Sequence, residues 1–235
     1  KNQLNKWLFD FQSHIVIKAR KAGKYAIFAD CGLGKTLMQL EWARLVTEHT
    51  NMPVLILCPL AVAGQTIKEG EKFGIPIERL NPKELGHGIF ITNYDQLPNI
   101  DPSQFGGVVL DESSILKNFT GKMKREIISA FKHTPYKLAC SATPSPNDLN
   151  EIGNHSEFLD IMEAPDMRMR WFVRDEGMNE YRLKGHADAD FFGWIGSWAS
   201  VLRHPRDVGY DADGYDLPAL NIVERVIFTP KKENG

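Results

Sequence analysis

Five short apolar runs mark the first part of the chain: 25–29, 54–58, 88–92, 107–110 and 137–140. Each is continuous and does not alternate with polar residues, as strands covered on both faces must be. Between them the period changes. In 36–49, Leu37, Leu40, Ala43 and Val46 fall at helical spacing. In 120–132, Met123, Ile127 and Phe131 do the same, with Lys122, Lys124, Arg125 and Lys132 on the other faces. Strand–helix alternation predicts an α/β fold: a parallel sheet with helices on both sides.

After residue 146 the texture changes. Asn147-Asp148 is placed to cap a helix carrying Leu149, Ile152, Leu159 and Met162. Trp194, Ile195, Trp198 and Val201 predict a further amphipathic helix. Leu217-Pro218 precedes a strand-like run at 222–228. The expectation is an α/β lobe over 1–146 and a C-terminal helical extension over 147–235.

No apolar run approaches the ~18 residues that span a membrane, so none is expected as a partner. The first residues lack both an initiator Met and the apolar core of a signal peptide. Net charge is −2, so a polyanion would need a local patch. Cys31, Cys58 and Cys140 are odd in number and widely spaced, which argues against a disulfide framework and for a reducing, cytoplasmic setting.

The densest chemistry lies at Ala29-Asp30-Cys31-Gly32-Leu33-Gly34-Lys35-Thr36, between an apolar strand and a helix. A phosphate loop requires that context. Gly32 and Gly34 let backbone N–H groups turn toward phosphates, and the helix N-terminus adds its dipole. Lys35 is placed to reach the β- and γ-phosphates, and the Thr36 hydroxyl to bind Mg²⁺. Ala29 stands where the strict pattern has glycine. The plainer alternative is a glycine turn before an ordinary helix.

Asp111-Glu112 ends the run at 107–110, on the side where open α/β sheets bind ligands. Asp111 is read as the Mg²⁺ carboxylate and Glu112 as the general base for water; a solvated turn is the alternative. Ser141-Ala142-Thr143 ends the run at 137–140. These small residues suit a relay between the phosphate site and a partner surface, or a plain turn before Pro144.

The set resembles the first RecA-like lobe of a superfamily 2 helicase, closest in style to Swi/Snf-like DNA translocases. Residues 29–36 are similar to motif I, 55–66 to motif Ia, 91–97 to motif Ib, 108–118 to motif II and 137–148 to motif III. Residues 8–12 resemble the segment whose glutamine, here Gln12, reads the adenine edge. Residues 201–208 and 216–218 resemble the link toward a second lobe. Arg182-Leu183-Lys184-Gly185-His186 before an aromatic helix resembles phage-associated members.

The resemblance implies a P-loop RecA-like fold and a helicase or double-stranded DNA translocase that uses ATP and Mg²⁺. It gives Gln12, Gly32, Leu33, Gly34, Lys35 and Thr36 to ATP, and Lys35, Asp111 and Glu112 to catalysis. It places Pro59, Leu60, Gln65, Thr92, Asn93 and Tyr94 on the nucleic-acid track, where groups at strand ends grip phosphates. Lys117, with Lys122, Lys124 and Arg125, adds a basic cluster.

Ser114 stands where the family often has histidine, which leaves coupling to the second lobe open. Motifs IV to VI are not found, so the expectation is a fragment of a two-lobe motor whose arginine finger lies elsewhere. Around Arg168, Arg170, Trp171 and Arg174, base stacking competes with a buried tryptophan among solvated charges. A non-hydrolysing nucleotide-binding scaffold and a P-loop kinase are the other functional readings. The kinase leaves Glu112 and Ser141-Ala142-Thr143 without a role.

Overall fold

The computed structural model describes residues 3–118, 121–145, 148–175, 180–211, 214–216 and 225. The run at 222–228 lies outside them except for Arg225, as does Asn147. In chain order the elements begin α1 (Asp10–Ala22), β1 (Lys24–Ala29), α2 (Lys35–Thr50), β2 (Val54–Cys58), α3 (Ala63–Phe73), β3 (Ile77–Arg79), β4 (Ile89–Asn93) and β5 (Gly107–Asp111). Then come α4 (Ile115–Asn118), α5 (Gly121–Ala130), β6 (Tyr136–Ser141), α6 (Ile152–Phe158), α7 (Ala164–Trp171), β7 (Phe172–Asp175), β8 (Glu180–Leu183), α8 (Asp188–Trp198) and β9 (Ala199–Leu202).

Among the described residues, seven strands form one sheet in the order β3-β4-β2-β5-β6-β1-β9, with every pair parallel. Alternation along the strands splits the core into two layers. Tyr25 and Ile27 of β1 pack with Val16, Leu40 and Val46 of α1 and α2 on one face. Ala26 and Phe28 pack on the other with Ile127 of α5, Phe158 of α6, Met167 and Trp171 of α7, and Ile195 and Trp198 of α8. The apolar runs are therefore strands buried on both faces, as their continuity predicts.

Three details differ from the sequence reading. The 120–132 helix ends at Ala130, and Phe131 packs just beyond it. Asp148 caps a short turn, Leu149–Glu151, before α6 starts. Val201, expected on a helix, lies in β9, because α8 stops at Trp198. β9 pairs with β1 in parallel, so the expected helical extension also supplies the seventh strand. Behind the sheet, Lys137 is wholly buried and donates to Phe158 O at 3.0 Å and Asp160 Oδ2 at 2.6 Å. That pair ties the end of α6 to β6.

Candidate nucleotide site

β1 ends at Ala29 and α2 begins at Lys35, so residues 30–34 cross the C-terminal end of the sheet between them. Gly32 (φ 84°) and Gly34 (φ 76°) both adopt the left-handed conformation that favours glycine. Gly34 occupies the N-cap of α2 and no side chain caps it. The first N–H groups of α2 thus face the loop's concave side, an arrangement suited to an anion. The Lys35 ammonium folds back over this loop, donating to Ala29 O at 2.7 Å and Asp30 O at 3.2 Å. Cys31 is exposed on it, whereas Cys58 and Cys140 are buried.

Gln12 is 3% exposed and spans two segments. Its Nε2 donates to Leu33 O at 2.9 Å, and its Oε1 accepts from Phe9 N at 3.0 Å. A Cβ at Gly34 would displace the Gln12 amide from its bond to Leu33 O, in addition to straining the left-handed backbone. One of the amide's bonds therefore holds the loop against α1, and the other caps the start of that helix.

Asp111 ends β5 facing the same loop. Burial pushes its carboxyl upward, opposed mainly by the nearby Gln39 amide and further by Lys35. Gln39 sits one turn beyond Lys35 on α2, wholly buried, and neither of its carboxamide atoms meets a partner in hydrogen-bonding geometry. It is near enough to favour the Asp111 carboxylate without bonding it. Thr36 and Asp111 offer hard oxygen donors, the chemistry Mg²⁺ takes. An orphaned amide beside Asp111 is a group that a metal-bound water would satisfy, so the residues fit the cation. Among the described residues no group of three or more His, Cys, Asp or Glu is placed to hold a metal. Phosphate oxygens and water would have to complete the shell.

Glu112 follows with φ 56°, left-handed without being glycine, which costs about 1–3 kcal/mol. What holds it is a convergence of hydroxyls. Its Oε1 accepts from Ser114 Oγ at 2.8 Å and from Ser141 Oγ at 2.9 Å. Ser141 Oγ also accepts from Thr143 N at 3.0 Å, so the 141–143 segment is joined to the carboxylate directly. Between Glu112 and Ser114, the Ser113 N–H donates to Cys140 O at 2.8 Å. Ser113 Oγ meets His155 Nε2 of α6 at 3.0 Å. His155 is 1% exposed against the edge of Phe28, and burial lowers its pKa to about 4.

Pro59, Leu60, Thr92 and Asn93 gather at the same end of the sheet, where Cys58 and Asn93 are register partners. Leu60 is exposed, as is Gln65, which bonds Glu69 at 3.2 Å. Tyr94 is 3% exposed, and its hydroxyl donates to Asp111 O at 2.8 Å, which leaves its side chain bracing β5. The side chain of Lys117 lies outside the described residues, although its backbone is in α4. Lys124 leaves the expected basic cluster, bonding Asn154 at 2.7 Å and pairing with Glu157. Trp171 is 2% exposed and donates to Asp190 at 2.7 Å, which rules out base stacking on it.

Reading the sequence singled out neither His155, Ser113 nor Gln39. His155 falls at helical spacing among Ile152, Phe158 and Leu159, a histidine on an apolar face; that signal was available.

The sheet order and the position of the loop define a RecA-like α/β fold, the fold shared by ATPase cores of helicase type. The solved structures that resemble the chain agree. The Sulfolobus solfataricus SWI2/SNF2 ATPase core in complex with dsDNA is similar with TM-score 0.69 and 18% identity, over 85% of this chain and 45% of that one. The Pyrococcus furiosus Hef helicase domain gives 0.55 and 18%, over 68% and 39%. The UvsW helicase from bacteriophage T4 gives 0.53 and 17%, over 66% and 58%. The chain thus spans between 39% and 58% of the length of these structures. No protein-family model matches it, and neither does any curated protein sequence.

Proposed function

We propose that the chain is the ATP-binding lobe of a nucleic-acid-dependent ATPase motor, one that acts on double-stranded DNA. The observation that carries this reading is the convergence at one sheet end of the glycine loop with Lys35, the Asp111 carboxylate, and a Glu112 carboxylate wired to Ser141. Gly32, Leu33, Gly34 and the first N–H groups of α2 would cradle phosphate, and Lys35 would exchange two carbonyls for phosphate oxygens. Thr36 and Asp111 would hold Mg²⁺, which supplies charge neutralisation when bound. Glu112 would accept the proton of the attacking water. Its bonds to Ser114 and Ser141 let movement of the 141–143 segment, Ala142 included, change the base's aim. Gln12 keeps one N–H and one lone pair for an adenine edge.

The DNA part of the proposal draws support from the SWI2/SNF2 core, whose structure contains dsDNA. Pro59, Leu60, Gln65, Thr92 and Asn93 form the proposed track, with Lys117 beside it. The arginine that neutralises γ-phosphate charge in this chemistry typically contributes ~10³–10⁵ in rate. A second RecA-like lobe is its proposed source. The test is steady-state phosphate release with and without duplex DNA, for the chain alone and joined to a second lobe. Slow, DNA-indifferent turnover alone and DNA-stimulated turnover when joined is the expected pattern. Turnover by the two-lobe protein that ignores DNA would refute the motor reading.

A further inference from the structure

Three polar side chains are buried along α2: Gln39, Glu41 and Thr47. Two of them are satisfied within the fold. Glu41 accepts from Asn5 N at 3.0 Å and pairs with Arg44 at 2.7 Å, and Thr47 Oγ donates to Ala43 O at 2.9 Å. Gln39 is different. It is wholly buried, and neither Nε2 nor Oε1 has a hydrogen-bond partner. Among the described residues no other side chain leaves two polar atoms in that condition. Buried amides are nearly always bonded, because an unmet donor or acceptor keeps the full cost of leaving water. An apolar side chain at this position would carry no such cost, since Leu37, Met38, Leu40 and Ala43 around it are core residues.

The place of the amide says what it could serve. Gln39 follows Lys35 by four residues, which puts the two on the same face of α2. Its amide is close enough to Asp111 to favour the carboxylate. The side chains beside Asp111 in the same core layer are thiols: Cys140, its register partner on β6, and Cys58 at the end of β2, both buried. A thiol is only a weak donor and a weak acceptor. Besides Lys35, Gln39 is therefore the strong hydrogen-bonding group that α2 brings to this carboxylate. A primary amide offers two N–H groups and two lone pairs, so it can serve a carboxylate and a water at once. Mg²⁺ gives up water reluctantly and keeps several molecules when one or two carboxylates and phosphate bind it. Protein groups that bond such waters orient a metal site from outside its shell.

We infer that Gln39 is a positioning residue for the cation: its Oε1 accepts from a water of the Mg²⁺ shell while its Nε2 donates to the Asp111 carboxylate. The inference rests on the ATP and Mg²⁺ reading above and adds to it a buried residue of α2. The two bonds fix the side-chain angle of Asp111 and tie cation binding to the end of β5. They form when the cation binds, so the free protein carries an unmet amide that binding relieves. Stability of the free chain and affinity for Mg-ATP therefore respond in opposite directions to loss of the amide.

Gln39→Met tests it, since it replaces the amide by an apolar chain of similar length and helix preference. Urea unfolding of the free variant should give a midpoint equal to or higher than that of wild type. Calorimetry should show the variant binding Mg-ATP about tenfold more weakly, and binding ATP in EDTA as wild type does. A lowered urea midpoint, or failure to fold, would overturn the inference, because the amide would then serve the fold. Equal losses of affinity with and without Mg²⁺ would also overturn it, by placing the effect on the phosphate loop. Unchanged Mg-ATP affinity would remove Gln39 from the site while leaving Thr36 and Asp111 their roles. A wild-type chain that binds ATP equally well with and without Mg²⁺ would remove the cation reading and this one together.

Discussion

Acidification should unfold this protein through His155. The imidazole is buried and neutral in the folded state, bonded to Ser113 and sensing the positive charge of Lys124, and its pKa is lowered from 6.5 to about 4. An unfolded chain frees it to protonate near 6.5. Between those values the unfolded state binds more protons, so stability falls as pH falls. Above 6.5 the effect is absent. Over the whole window the gap is worth about 3 kcal/mol, a large part of a stability of ~5–15 kcal/mol.

Other groups titrate nearby. Asp111, whose pKa is raised, gains stability on acidification, and the paired Asp160, whose pKa is lowered, loses it. A variant isolates the histidine, because those contributions are common to both proteins. His155→Gln keeps an amide near Ser113 and cannot titrate. Urea unfolding of both proteins at intervals from pH 7 to 4.5 should show wild type losing up to about 1.4 kcal/mol more per pH unit than the variant below pH 6. Parallel stability curves over that range would refute the reasoning.

Two other outcomes follow from the site. Glu112→Gln should leave Mg-ATP affinity intact and lower turnover of the two-lobe protein by roughly 10²–10⁴-fold; single-turnover phosphate release measures it, and undiminished chemistry would remove Glu112 as the base. Alkylation of Cys31, exposed on the loop, should slow when Mg-ATP is bound, and equal labelling by mass spectrometry with and without nucleotide would contradict the loop's role.

Much of this fold is written in uninterrupted apolar runs, because β1, β2, β4, β5 and β6 are covered on both faces. The two strands of the main sheet that escaped notice lack that mark. β3 buries Ile77 alone and exposes Glu78 and Arg79. β9 is a four-residue edge strand whose Val201 is exposed and falls at helical spacing after Trp194 and Trp198. At the candidate site, the shared position of Lys35, Thr36, Asp111 and Glu112 at one end of the sheet was legible because they sit in short contiguous motifs at strand ends. His155 was not, since its partner Ser113 lies 42 positions away. Its place on an apolar helical face was readable locally, but the bond that keeps it neutral was not. The burial of Tyr94 was likewise not legible: nothing in its motif announces that its hydroxyl bonds Asp111 O, 17 positions away.

The most direct measurement is titration of Mg-ATP into the chain and into Lys35→Ala. The ammonium lies over the loop on two carbonyls, poised to move to phosphate. Wild type should bind with measurable heat, and Lys35→Ala, with its fold intact by circular dichroism, should bind at least tenfold more weakly through loss of a charge-assisted contact. Equal affinity in the two proteins would contradict the assignment of this loop to phosphate, and with it the ATPase reading.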